Sequence, residues 1–330
     1  MVGKSRGAAL AIAGLLAWAG GLGAAPASAQ DGRIVIGDYS TDDGAGSMSF
    51  VDPADGGREL LSANDAPAGA PLFDGVGQVD VEPAGTLVTT NWHGEALLRV
   101  DPVTGVRSVV SSVSVGEGPG LNSPWGVTVA PGGDILVTDL GEAAVFRVDP
   151  VTGDREIVSS DTVGSGPEFE CPWATVVDDT DDILVVDQCI GADGDGGVLR
   201  VDPVTGDRTV VSSNAVGTGT PFSDPYSITR ETDGDLIVGE YGSSPEPSFL
   251  LRVDPVTGDR EVLSSATVGS GPGFSHVSDV QVDADGSILV TDIGPDVDES
   301  VADGVVFRVD PGTGDRTVIT DMATDDDPPL

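Results

Sequence analysis

Hydrophobic and polar residues alternate along this chain in short runs, cut off every few positions by Gly, Pro or Asp. Between residues 120 and 160 the runs are Trp125-Gly-Val-Thr-Val129, Ile135-Leu-Val-Thr-Asp139, Ala144-Val-Phe-Arg-Val148 and Arg155-Glu-Ile-Val-Ser159. Period-two alternation over about five residues predicts strands rather than helices. Pro131-Gly-Gly-Asp134 and Asp149-Pro-Val-Thr-Gly153 read as turns. There Pro presets φ, Gly takes positive φ, and the Asp side chain bonds to nearby backbone N–H groups.

This four-stranded unit recurs. The turn aspartates are Asp52, Asp101, Asp149, Asp202, Asp254 and Asp310, spaced by 49, 48, 53, 52 and 56 residues. Five copies carry Arg-Val before the Asp-Pro; the first, Ser49-Phe-Val-Asp-Pro53, is degenerate. A period of about 50 with four short strands predicts an all-β, six-bladed β-propeller of four-stranded antiparallel blades. β-Helix repeats are usually half that length or shorter. The first copy starts directly at the second strand, Arg33-Ile-Val-Ile-Gly37, so the first blade is expected to lack its inner strand. The acidic tail, residues 321–330, ends in Pro-Pro and is a poor substitute.

The N-terminus follows a different pattern. Lys4 and Arg6 precede the apolar stretch Ala8 to Trp18, and Ala27-Ser28-Ala29 is a small-x-small site. This predicts a signal peptide over residues 1–29, a propeller over 30–320 and a tail over 321–330. The mature protein is expected to be secreted, extracellular or periplasmic, with no membrane insertion, because nothing after residue 30 approaches a spanning length.

Charge then narrows the partners. The 330 residues hold 55 Asp+Glu against 15 Lys+Arg, a formal net charge of −40. Phosphate-backbone binding relies on Lys and Arg, so nucleic acid is disfavoured as a partner, and an anionic membrane surface for the same reason. Cleavage would remove Lys4, the only lysine. Many acids fall in turns and connecting loops, which suits a strongly hydrated surface better than one acidic centre. The repeated Arg99, Arg147, Arg200, Arg252 and Arg308 stand two residues before the turn aspartates, within reach of acids, and are read as structural.

In a propeller of this order, loops entering the inner strand and loops leaving the second strand share one face. That face gathers Trp92, His93, Trp125, Trp173, Tyr226 and His276 with the strand-end acids Asp38, Asp139, Asp187, Glu240 and Asp292. Aromatic rings beside carboxylates suit a sugar, a cation or a peptide. The alternative is that the rings plug gaps between blades while the acids tie down turns. His93 and His276, the only histidines, are the weak catalytic candidates. The loops Asp178–Asp182, Asp193–Asp195 and Asp283–Gly286 have the oxygen-rich character that Ca²⁺ prefers, but none completes an EF-hand, and turns favour Asp and Gly in any case. For Cys171 and Cys189, a hairpin centred on Thr180 sets Val177 opposite Ile183, Trp173 opposite Asp187 and Cys171 opposite Cys189. In an exported protein that placement predicts a disulfide.

The pattern Gly126-Val-x-Val129, Gly133-x-Ile-Leu-Val-x-Asp139, followed by Val-x-Arg-Val-Asp-Pro150, resembles the NHL-repeat propellers. More broadly it resembles the six-bladed superfamily of SMP-30/gluconolactonase-like and streptogramin-lyase-like proteins. The resemblance implies the fold, over residues 32–320, and leaves activity open, since the superfamily holds lactonases, lyases and binding scaffolds. Lactonases of this kind carry Glu, Asn and Asp metal ligands where inner strands begin; the equivalent positions here are Gly77, Trp125, Trp173, Tyr226 and Ser278. Streptogramin lyases carry Trp-Phe-Thr-Glu on the second strand; here stand Leu136–Asp139, Leu184–Asp187, Ile237–Glu240 and Leu289–Asp292. No Gly-x-Ser-x-Gly elbow occurs in residues 30–330. The expected function is a monomeric module binding a small molecule, a glycan or a protein. The alternative is a lactonase-like hydrolase or a lyase working at the channel mouth.

Overall fold

The computed structural model describes residues 32–38, 46–65, 67, 71–191, 194–242, 248–294 and 304–321, together with the backbone of Ile12–Leu16. These form six four-stranded antiparallel sheets, each with its strands in chain order. The innermost strands, Ile12–Leu16, Val76–Val81, Pro124–Val129, Pro172–Val177, Pro225–Arg230 and Val277–Val282, each lie against the next, and the last lies against the first. The sheets are therefore six blades around one axis, numbered 1 to 6 along the chain.

Burial explains the sequence pattern. The second strand of every blade, such as Ile135–Asp139 or Ile183–Asp187, is buried along its whole length, because neighbouring blades cover both its faces. Outer strands such as Arg155–Ser159 are only partly buried, with Glu156 exposed and Ile157 half-buried. The core consists of apolar layers between blades; in one, Val88 and Leu97 of blade 2 pack with Val127, Val137 and Phe146 of blade 3.

Adjacent blades are also clasped by a polar device that the sequence reading did not single out. Arg208, 4% exposed, opens the outer strand of blade 4 and reaches back to blade 3. Its Nη1 donates to Ser159 Oγ at 2.5 Å and to the carbonyls of Ser160 and Val163, and its ring neighbour is Phe169. Ser159 Oγ in turn donates to Gly206 O at 2.7 Å. Arg107, Arg155, Arg260 and Arg316 repeat the arrangement with Ser62, Ser111, Ser212 and Ser264. The turn glycine beside each clasp is obligatory. Gly153 has φ +75°, and a Cβ there would lie 2.2 Å from Val110 O of the preceding blade.

Arg99, Arg200, Arg252 and Arg308 pair with the hairpin acids Glu82, Asp178, Glu231 and Asp283 of their own blades, as their positions predict. Arg147 pairs with Glu156 on the adjacent strand. Two of the loops weighed for calcium are thereby accounted for: Asp178 and Asp182 face Arg200, and Asp283 and Asp285 face Arg308. Asp193, of the third loop, lies outside the described residues.

The ring closes between blades 6 and 1. The first repeat supplies three strands, Ile34–Asp38, Ser47–Val51 and Arg58–Ala63, as its sequence predicts. The innermost place of that blade is taken by Ile12–Leu16, an occupant the sequence reading did not foresee. Gly56 sits on Ile319 O as Gly153 sits on Val110 O, so the outer part of the seam keeps the usual packing. Gln78 Nε2 donates to Asp279 Oδ1 at 2.9 Å, tying blade 2 to blade 6 directly. The clasp differs here: Arg58 Nε has no partner among the described residues, whereas Arg107, Arg155, Arg208, Arg260 and Arg316 each donate Nε to a loop carbonyl.

Candidate functional site

In blades 2 to 6 each inner strand begins with an irregularity. In blade 4 Pro172 pairs with Asp187 and Ala174 with Val186, so Trp173 is an extra residue opposite nothing. In blade 5 Tyr226 is extra in the same way, and in blade 6 Ser278. Blades 2 and 3 carry the bulge within Gly77-Gln78 and Trp125-Gly126. A bulge re-aims the side chain it carries. Here the bulges of blades 3, 4 and 5 carry Trp125, Trp173 and Tyr226, which meet one another.

The bulge also corrects the predicted register. Val177 faces Ile183, as the hairpin centre at Thr180 requires, but beyond Trp173 the pairing slips by one. Gln188 N accordingly donates to Cys171 O, and Asp187 lies opposite Pro172 instead of Trp173. The Cys171–Cys189 disulfide forms nonetheless, with Cα atoms 5.3 Å apart. It staples the loop entering the inner strand to the loop leaving the second strand.

The predicted aromatic residues do meet. Trp92 lies edge-on to Trp125 with centroids 4.7 Å apart, and Trp125 lies edge-on to Trp173 at 5.1 Å. Trp173 contacts Tyr226 at 4.4 Å, Tyr226 contacts Tyr241 at 5.2 Å, and Tyr241 contacts His276 at 5.0 Å. His93 stacks on Trp92 at the other end. The result is a crescent of touching rings running from blade 2 to blade 6. Trp125 is sealed beneath it at 3% exposure, whereas Trp92, Trp173, Tyr226, Tyr241 and His276 are half-buried and His93 is exposed. His93 and His276 thus stand at opposite ends of the crescent, with no ring contact between them.

The strand-end acids take the structural part of the alternative. Asp139, Asp187, Glu240 and Asp292 are at most 1% exposed. Asp187 accepts the backbone N–H of Glu170, Cys171 and Cys189, and Asp292 those of Ser275, His276 and Gly294. Asp139 accepts those of Asn122 and Glu142. These carboxylates fix the loops that carry the rings. Burial raises all four pKa values against those hydrogen bonds, Asp139 to about 6 and Glu240 to about 7. Glu240 is one methylene longer than its counterparts. Its Oε2 takes Ser223 and Asp224, and Oε1 is buried with no partner among the described residues.

Three residues missing from the sequence reading complete the site. Trp173 Nε1 donates to Gln188 Oε1, and Gln188 Nε2 donates to Asp224. Burial raises the Asp224 carboxyl pKa, against the Gln188 hydrogen bond and the nearby His276. Tyr241 is raised by burial and by Asp224 and Asp292. His276 Nδ1 lies 3.0 Å from Gly294 O, so it is the donor, and Nε2 has no hydrogen-bond partner among the described residues.

All three belong to two columns of the repeat. One precedes the inner strand: Gly75, Ser123, Cys171, Asp224, His276. The other follows the second strand: Trp92, Leu140, Gln188, Tyr241, Ile293. In every blade from 2 to 6 the second column's N–H donates to the first column's carbonyl. The backbone frame is therefore constant while the side chains differ in each copy. In a chain whose turns and clasps are nearly identical from blade to blade, this face carries the differences.

Comparison with known proteins agrees with this architecture. Residues 121–146 match the NHL repeat family model. No curated protein matches this sequence. Among solved structures the chain is similar to virginiamycin B lyase from Staphylococcus aureus, at TM-score 0.58 and 14% identity over 94% of this chain and 84% of that one. It is similar to an auxiliary nutrient binding protein from Bacteroides thetaiotaomicron, at TM-score 0.57 and 10% identity over 86% and 67%. A gluconolactonase from Xanthomonas campestris matches at TM-score 0.51 and 15% identity over 71% of each chain. At these identities the likeness is one of fold.

Proposed function

We propose that this chain is an exported binding module whose ligand seat is the aromatic crescent at the channel mouth. The observation that carries the reading is the crescent itself: half-buried rings in contact from Trp92 through Trp173, Tyr226 and Tyr241 to His276, over the buried Trp125 and bordered by the Gln188–Asp224 pair. Such a surface fits a ligand with a flat apolar face and hydroxyl groups or a positive charge. A sugar, an organic cation or a peptide side chain meets that description. Export rests on the N-terminal pattern and on the disulfide, which an oxidising compartment favours.

A second reading, a lyase or lactonase-like hydrolase, is favoured by one specific observation. His276 has its Nδ1 satisfied by Gly294 O and a carboxylate, Asp224, close enough to act on it electrostatically. An imidazole so oriented can serve as a general base. Tryptophan fluorescence titrated with maltose and with tetramethylammonium separates the two readings when paired with a turnover assay on lactones and esters. Binding abolished by Trp173→Ala, without turnover, supports the module. Turnover abolished by His276→Ala supports the enzyme.

A further inference from the structure

In five blades the inner strand is joined to the second by a tight turn, as where Ala130 N donates to Asp134 O. In blade 1 the connection between Ile12–Leu16 and Ile34–Asp38 runs through residues 17–33. The small-x-small site Ala27-Ser28-Ala29 lies inside it. A cut after Ala29 would thus fall between the blade's inner strand and the rest of the blade.

The backbone pairing is definite. Ile12–Leu16 runs antiparallel to Ile34–Asp38, with Ile12 opposite Asp38, Ala13 opposite Gly37 and Leu16 opposite Val35. It lies against Val76–Val81 on one side and Val277–Val282 on the other. The place it fills also has walls that do not depend on it. Gln78 bonds to Asp279 across the blade, and Gly56 sits on Ile319 O. Removing the strand would leave the Ile34–Asp38 edge with unpaired backbone groups, the condition under which a sheet accepts another strand.

We propose that the N-terminal apolar segment is the ring-closing strand of the propeller, and that cutting after Ala29 opens a strand-acceptor slot beside Ile34–Asp38 whose fitting occupant is this same segment. The proposal rests on the export reading only for the cut, not for the slot. It gives the leader two roles, targeting and closure, and it makes the processed ring an incomplete one.

Backbone amide exchange tests it. In the full chain the amides of 34–38 should exchange slowly. Ala13→Pro with Gly14→Pro removes two N–H donors from the strand and should speed exchange at 34–38 at least about tenfold, leaving Ile288–Asp292 of blade 6 unchanged. Processed protein recovered from the cell envelope should show the same fast exchange, slowed saturably by a peptide of residues 8–18 and not by its scrambled version. If the double variant loses protection throughout, the processed protein and peptide decide alone. Equal protection at 34–38 in the full and processed chains, or no saturable effect of the peptide, would overturn the proposal.

Discussion

Trp173 Nε1 donates a hydrogen bond to Gln188 Oε1 at 2.8 Å, joining the bulged start of one strand to the residue just past the end of its neighbour. The bond holds a half-buried ring at a fixed angle on the channel mouth. Trp125, the next ring, is almost fully buried. The two tryptophans should therefore respond differently to truncation. Trp125→Ala is expected to cost about 3–5 kcal/mol of stability through the cavity it leaves. Trp173→Ala should cost clearly less, while removing ligand-induced fluorescence changes. Urea denaturation of both variants checks the contrast.

The disulfide holds the loops on either side of that bond. Cys171 and Cys189 are 18 residues apart, and cross-linking over such a span stabilises by about 3 kcal/mol. The double variant Cys171→Ser with Cys189→Ser should lose about that much. It should also shift the Trp173 emission, since Gln188 follows the stapled loop. Reduction of the native protein, followed by fluorescence and urea midpoint, should reproduce both effects.

The buried carboxylates set the pH dependence. Glu240 has its pKa raised by burial from 4.5 to about 7, and Asp80 and Asp139 theirs from 3.8 to about 6. The folded chain therefore keeps protons that the unfolded chain has released. Their stabilising contribution is full below the unfolded values and is lost as pH rises through about 6 to 7. The turn aspartates Asp101, Asp149, Asp202, Asp254 and Asp310 act oppositely. Backbone N–H donors lower their pKa values, and their contribution is lost as pH falls below 3.8. Melting temperature should thus peak on the acid side of neutrality. Glu240→Gln should stabilise the protein at pH 8 by up to about 3 kcal/mol and have little effect at pH 4.

Much of this fold was readable in the sequence because it repeats. The Asp-Pro turns fix the period, and the fully buried second strands, such as Ile183–Asp187, read as near-continuous apolar runs. The aromatic face followed from strand order alone. Other features were not readable for identifiable reasons. The bulge at Trp173 shifts a register that simple hairpin counting assumes regular. Arg208 and its equivalents stand at the start of exposed strands and look solvated, yet their guanidinium groups are buried in the preceding blade. Gln188, Asp224 and Tyr241 are single-copy departures within repeat columns, and they become visible only when those columns are compared. Ile12–Leu16 reads as a leader, and its pairing with Ile34–Asp38 leaves no local mark.

The clasps give a stability test that separates ordinary blade junctions from the seam. Arg208→Ala leaves Ser159 Oγ and several carbonyls without their donor, and should cost about 3 kcal/mol. Arg58→Ala, at the seam, should cost under about 1 kcal/mol, since its Nε has no partner among the described residues. Equal losses in chemical denaturation would show that the seam is clasped like the rest.

A net charge of −40 with few basic groups to offset it implies self-repulsion in the folded state. Raising NaCl from about 0.05 M to about 1 M shortens the Debye length from roughly 14 Å to 3 Å and should raise the melting temperature by a few degrees. A fall on adding salt would mean that ion pairs such as Arg252–Glu231 outweigh the repulsion.

The claim that the crescent is a ligand seat is tested most directly by titrating the processed protein with maltose and with tetramethylammonium while recording tryptophan emission, in parallel with Trp173→Ala and His276→Ala. The account predicts a saturable change for at least one probe, abolished by Trp173→Ala, largely retained by His276→Ala, with the probe recovered chemically intact. A flat titration with both probes, or a response that survives Trp173→Ala, would contradict it.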